Sequence, residues 1–224
     1  MVLLLSGCAS GGKDAGRPAP AVAPVNTALV AQSRIPSIPI FEAPGAPGPK
    51  LNLSNPNEDG APRVFLVKSR RDGWLEVLLP VRPNGSRGWI KESDVTLGNN
   101  LYRVRVELGA HRITVSNGGT VIANEPVGVG KTDSPIPGGE YYITVLIQPP
   151  RPDGLYGPFA FGLSGYSNVY QTFAGGNGAV GLHGTDNPAG LGKDVSAGCI
   201  RMSNETINRL ASLLPLGTPV EIVA

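Results

Sequence analysis

Along most of the chain, apolar positions alternate with polar ones or gather in short β-branched runs, and turn residues cut one run from the next. Val64-Phe-Leu-Val67, Trp74-Leu-Glu-Val-Leu78 and Arg87-Gly-Trp-Ile90 with Lys91 to Val95 predict short strands. They are separated by a turn over Lys68-Ser-Arg-Arg-Asp-Gly73 and by a Pro/Asn/Gly turn. This spacing, with Gly-Trp at the strand starts, argues for a small, strongly bent barrel. Glu42 to Arg63, rich in Pro, Gly and Asn, reads as a long loop. From about Leu101 the strand signals lengthen: Tyr102 to Glu107 and His111 to Val115 alternate, and Asn117-Gly118 predicts a hairpin turn. Gly128 to Gly139 reads as a rigid turn region feeding a strand that reaches Ile143. One segment has helical spacing. Ser203 caps it, Ile207, Leu210, Ala211 and Leu214 share a face, and Pro215 and Gly217 end it. Thr218 to Val223 predicts a final strand.

Composition agrees with a mainly β chain: 31 Gly and 22 Pro among 224 residues favour turns over long helices. That length suits one large domain or two small ones with tails. A net charge of +2, without an interleaved Arg/aromatic array, gives no ground for nucleic acid as a partner. No apolar stretch reaches the roughly 18 residues of a membrane span. The chain has two cysteines, Cys8 and Cys199, and two histidines, His111 and His183. A four-ligand zinc site would need all of them, one from the amino-terminal tail, so neither a structural metal nor another cofactor is expected.

Cys8 closes the apolar run Met1 to Gly7, and Leu5-Ser-Gly-Cys8 resembles the bacterial lipobox. That resemblance implies cleavage before Cys8 and a lipid anchor on its thiol, hence a membrane-tethered place in the cell envelope. The basic region that opens such signals is absent, so the true start lies upstream or the chain is trimmed. A Cys8–Cys199 disulfide is the competing use of that thiol. Ala9 to Val25, rich in Ala, Gly and Pro, reads as a flexible to semi-extended spacer. The expected division is therefore tail and spacer over 1–25, a first domain over 26–97 and a second over 98–224. In the first, Asp72-Gly-Trp-Leu-Glu-Val77 and Gly88-Trp-Ile-Lys91 resemble bacterial SH3-like domains. Trp74 and Trp89 are read as core or half-core residues ahead of ligand-stacking ones. Lys68, Arg70 and Arg71 are read as a solvated turn.

Chemistry concentrates in Gly181-Leu-His-Gly-Thr185 and Ser196-Ala-Gly-Cys-Ile-Arg-Met202. A thiol ionises weakly at neutral pH, so a nucleophilic cysteine needs a base or electropositive surroundings, and histidine suits the task. His183 precedes Cys199 across a Gly/Pro/Asp-rich loop that allows two adjacent strands, or a strand and a loop, to bring the side chains together. His111 lies in an ordinary strand pattern and is read as a surface residue. Lys131-Thr132 lacks the glycine spacing and following helix of a phosphate loop.

Together these segments resemble the L,D-transpeptidase catalytic-domain (YkuD-type) family, through His183-Gly-Thr-Asp186, Ser196-Ala-Gly-Cys-Ile-Arg-Met202 and the Thr132 to Ile143 turn. The likeness spans about Leu101 to Ala224. It implies a β-sandwich catalytic domain with one or two short helices behind the SH3-like barrel, and peptidoglycan stem peptides as substrate. It also implies Cys199 as nucleophile, His183 as base, and the Gly184 carbonyl orienting the imidazole. The Gly198 and Cys199 amides are expected to form the oxyanion hole. Ser196 is expected to support the loop. Arg201 is expected either to bind a substrate carboxylate or to hold the turn through main-chain carbonyls. Many members carry histidine two residues before the cysteine, where this chain has Ala197; the upstream His183 keeps the base role. A monomer is expected, and the resemblance implies transfer of the acyl group to an amine, with transfer to water left open. A Cys/His hydrolase is disfavoured by chain order, and a non-catalytic wall-binding protein by retention of both Cys199 and His183.

Overall fold

Alternation turns directly into two large sheets and two two-stranded pairs in the computed structural model, which describes residues 27–172 and 175–224. Cys8 and the spacer to Val25 lie outside the described residues. The first half comprises β1 (Ala28–Ser33), β2 (Ser37–Ile40), β3 (Leu51–Ser54), β4 (Val64–Arg71), β5 (Trp74–Leu78), β6 (Arg87–Lys91) and β7 (Val95–Asn100). The second comprises β8 (Tyr102–Glu107), β9 (Arg112–Asn117), β10 (Thr120–Pro126), β11 (Val129–Gly130), β12 (Gly139–Ile147), β13 (Ala160–Tyr166), β14 (Ala179–His183), β15 (Asp194–Ser196), β16 (Ile200–Arg201), α1 (Asn204–Ala211) and β17 (Pro219–Val223).

In the first half a five-stranded antiparallel sheet of order β6-β5-β4-β1-β7 is joined by the β2-β3 hairpin. Ala31, Ile38, Ile40, Phe65, Leu75, Val77 and Ile90 are fully buried in its core. The intervening positions Trp74 and Trp89 are half-buried on the other face, with Trp74 edge-on to Phe41 at 5.0 Å. Three expectations change. Glu42 to Arg63 is not a plain loop, because β3 inside it pairs with β2. Lys68, Arg70 and Arg71 extend β4, leaving Asp72 and Gly73 as the turn, both at positive φ. Lys68 reaches Glu140 at 2.7 Å and Arg70 reaches Glu92 at 2.8 Å. β7 carries the first sheet past Leu97 to Asn100, and the second sheet opens at Tyr102.

The second half is an eight-stranded sheet of order β10-β9-β8-β17-β12-β13-β14-β16. Val104, Val106, Ile113, Val115, Val220 and Ile222 face its core, where Ile207 and Leu210 of α1 pack. Ser203 Oγ accepts from Thr206 N at 3.0 Å and caps that helix. The β9–β10 turn is centred one residue later than expected. Asn117 pairs with Thr120, and Gly118-Gly119 supplies the two positive-φ positions that a tight hairpin requires. His111 also differs: it sits in the turn before β9 at φ 51. The Asp194 carboxylate, 2.8 Å from His111 Nε2, ties that turn to β15.

The halves meet along β12, which is buried on both faces. Tyr141 and Ile143 face the second core, and Tyr142 faces Ala28, Val64, Leu66 and Leu78. Polar contacts continue the seam. Asn84 brackets the Tyr166 main chain through both ends of its amide, at 2.8 Å each, and Arg82 lies 4.4 Å over the Tyr166 ring.

Candidate active site

A parallel pair builds the site. β14 and β16 run side by side with Leu182 opposite Ile200 and His183 opposite Arg201. Leu182 and Ile200 point into the core and are fully buried. Alternation therefore sends Gly181, His183 and Arg201 to the other face, and Cys199, entering β16, falls in line with Gly181. Glycine at 181 clears the space. A Cβ there would stand 3.3 Å from Phe161 O and 3.8 Å from Cys199 Sγ. Cys199 and His183 line one cleft of about 340 Å³ with Tyr156, Phe161 and Gly178. A smaller cavity is lined by the same Cys199, His183 and Tyr156 together with Leu155, Ala197 and Arg201.

His183 is 3% exposed, and its Nδ1 lies 2.6 Å from Gly184 O. A carbonyl only accepts, so the proton sits on Nδ1 and Nε2 keeps its lone pair. The Tyr156 ring packs edge-on to the imidazole, with centroids 4.9 Å apart. Burial pushes the His183 pKa down to about 4; the Gly184 hydrogen bond opposes this, Arg201 adds to it and Asp186 opposes it. Burial pushes the Cys199 thiol up, against a hydrogen bond with the Gly181 backbone and the charge of Arg201. At neutral pH the pair therefore rests as a thiol beside a neutral imidazole.

The loop bearing Cys199 is held from behind. Ser196 O accepts from Lys131 N at 3.1 Å and from Ser134 Oγ at 3.2 Å, so the Thr132 to Ile143 turn braces it. Ser196 Oγ donates to Cys199 O at 2.6 Å and accepts from Gly198 N at 3.1 Å and Cys199 N at 3.2 Å. The two amides expected to wait for an oxyanion are thus engaged at rest. The reason is local: a serine hydroxyl reaches main-chain N–H groups two and three residues on. Arg201 Nε is buried and finds no hydrogen-bond partner among the described residues.

Two neighbours of the pair went unread in the sequence. Tyr156 sits in a turn-rich loop with no strand or helix pattern to mark it. Asn204, the first residue of α1, accepts from Thr185 N at 2.9 Å and fixes the His183-Gly-Thr segment. A Cβ at Gly184 or Gly157 would overlap Asn204 Oδ1, which accounts for glycine at both places. Among the described residues, no group of three His, Cys, Asp or Glu side chains is arranged to hold a metal ion.

A buried histidine oriented by a main-chain carbonyl thus shares one face of a strand pair with a cysteine, the kind of neighbour a nucleophilic thiol needs. Residues 101–222 match the L,D-transpeptidase catalytic domain (YkuD), and the chain belongs to that family. "Putative L,D-transpeptidase YkuD" of Bacillus subtilis is 38% identical over 121 residues, 54% of this chain and 65% of that protein. "Putative L,D-transpeptidase YqjB" of the same organism is 36% identical over 99 residues, 43% of this chain and 56% of its own length. The matched stretch is thus less than two thirds of either relative. Among solved structures, L,D-transpeptidase 3 from Mycobacterium tuberculosis superposes with a TM-score of 0.47 at 15% identity, over 64% of this chain and 76% of that one.

Proposed function

We propose that this chain forms cross-links between peptidoglycan stem peptides, with Cys199 as nucleophile and His183 as general base and acid. The observation that carries this reading is the pairing of Cys199 and His183 in one cleft, with Nδ1 committed to Gly184 O and Nε2 left as acceptor. Cys199 Sγ attacks the carbonyl that joins the third residue of a donor stem to its terminal D-Ala, and the thiol proton passes to His183 Nε2. The C–N bond breaks, the imidazolium returns the proton to the departing nitrogen, and a thioester and free D-Ala result. An acceptor amine then attacks the thioester carbon and gives its proton to His183. The C–S bond breaks, and the proton returns to sulfur.

With Nδ1 committed to Gly184 O, Nε2 is the ring atom free to take the thiol proton as Sγ attacks. The unpartnered Arg201 Nε suits a substrate carboxylate or the developing oxyanion. In this reading Cys8 carries lipid, and the first half is an SH3-like module that travels with the catalytic domain in the cell envelope, as Leu5 to Cys8 and the Gly-Trp strands support.

The test is incubation with a tetrapeptide-stem fragment, followed by mass spectrometry for released D-Ala and for dimer. D-Ala with dimer is expected, and D-Ala without dimer reassigns the acceptor to water. Cys199→Ala is expected to lower release by about 10⁴-fold or more with the fold intact. Full release by that variant would overturn the mechanism.

A further inference from the structure

The cleft that holds Cys199 and His183 is not made by the catalytic half alone. Among the described residues lining it, Val145, Ile147, Pro149, Tyr156 and Phe161 are apolar or aromatic, glycines fill much of the remainder, and the one carboxylate is Asp59, from the first half. We propose that Asp59 is a specificity-determining residue that binds a primary ammonium carried by the substrate.

The chain holds Asp59 there deliberately. Asn57 is buried, and its Nδ2 donates to Thr144 O on β12 at 3.1 Å, pinning the segment to the catalytic half. Its Oδ1 accepts from Asp59 N at 3.1 Å and from Ala61 N at 2.9 Å, closing a turn with Gly60 at φ 80. The neighbouring acid is neutralised: Glu58 takes both of its hydrogen bonds from Arg63, at 2.8 and 2.9 Å. Arg63 is 3% exposed and also donates to Ser54 O at 2.8 Å. Asp59 is left exposed, with no hydrogen bond or ion pair to its carboxylate among the described residues. An unpaired negative charge beside an apolar cleft attracts cations, and the low-dielectric wall focuses its field.

The ligand's identity rests on the function proposed above, in which an amine completes the reaction, so primary amines are part of the substrate. The ammonium belongs either to a diamino-acid side chain of the donor or to the acceptor, which gives its extra proton to solvent before the free amine attacks, and the same carboxylate would read both.

The experiment uses the full chain. In Cys199→Ala, which binds without turnover, a stem tetrapeptide with a free side-chain amine and its N-acetylated counterpart are titrated calorimetrically, with and without Asp59→Asn. In the chain retaining Cys199, the KM for an acceptor amine is compared between Asp59 and Asp59→Asn. A loss of about fivefold is expected in one arm. Loss confined to the free-amine donor assigns the ammonium to the donor, and a raised acceptor KM assigns it to the acceptor. The expected effect shrinks at high salt, and Asp59→Lys exceeds Asp59→Asn. An equal loss on the acetylated peptide, no change in either arm, or no detectable binding of either peptide would overturn the proposal. If Asp59-dependent binding persists while the wild-type chain releases no D-Ala, the reaction is wrong and the ammonium site stands.

Discussion

The two halves solve the same packing problem with different strand order. In the first, every pairing is antiparallel, and β4, β5 and β6 follow one another through turns. In the second, β14 with β16, β17 with β8 and β11 with β15 are parallel pairs, which no tight turn can join. The antiparallel half joins β4, β5 and β6 as sequence neighbours, adds β1 between β4 and β7, and yields a closed apolar core. The parallel pairs bring together residues from separate stretches of chain, and one of them sets His183 and Cys199 on a common face. Crossover connections are where this fold gains a site.

That contrast can be broken at the site first. His183→Gln should lower the rate of D-Ala release by roughly 10²–10⁴-fold while leaving the fold unchanged. The same variant isolates a pH effect. The folded-state pKa of His183, about 4, lies below the ordinary 6.5, so the unfolded chain binds the extra proton first. Stability is whole above pH 6.5 and is lost as pH falls toward 4, by about 3 kcal/mol from this group. Thermal midpoints of wild type should therefore drop more steeply between pH 6.5 and 4 than those of His183→Gln. Parallel curves would show that the imidazole is not held neutral.

The first half offers the complementary break. Leu75 is fully buried in its core, and Leu75→Ala should cost about 2–5 kcal/mol. Because the seam along β12 joins the halves, unfolding should remain one transition by calorimetry; two resolved transitions would mean that the halves are independent. The smallest effect lies on the seam itself. Tyr142 Oη is buried without a hydrogen-bond partner among the described residues, so Tyr142→Phe should be neutral or stabilise by up to about 1 kcal/mol in denaturant titrations. A marked loss would give the hydroxyl a partner and make the seam polar at that point.

Features set by near neighbours were legible in the sequence. The alternation of Tyr102 to Glu107, the cap at Ser203 and the apolar face of Ile207 and Leu210 depend on a few residues each. Errors arose where local chemistry was ambiguous. Asn117-Gly118-Gly119 offers two registers for one turn, and the basic run at Lys68 to Arg71 reads as a turn until Glu140 and Glu92, from distant segments, supply its counter-charges. Within the site, the pairing of histidine and cysteine segments was legible from their motifs. Tyr156, Asn204 and Asp59 were not, since each reaches the cleft or its support only through long-range packing.

The hydroxyl of Ser196 has a consequence for how the site waits. Two N–H groups aimed at an empty hollow would draw in water, which would have to leave before each turnover. Here a neutral oxygen from the same loop occupies them instead. A charged oxygen binds such donors about twice as strongly as a neutral one, so an anion forming at the attacked carbonyl can displace this placeholder. In the reaction proposed above, the donors would stay aligned between turnovers and exchange one oxygen partner for another.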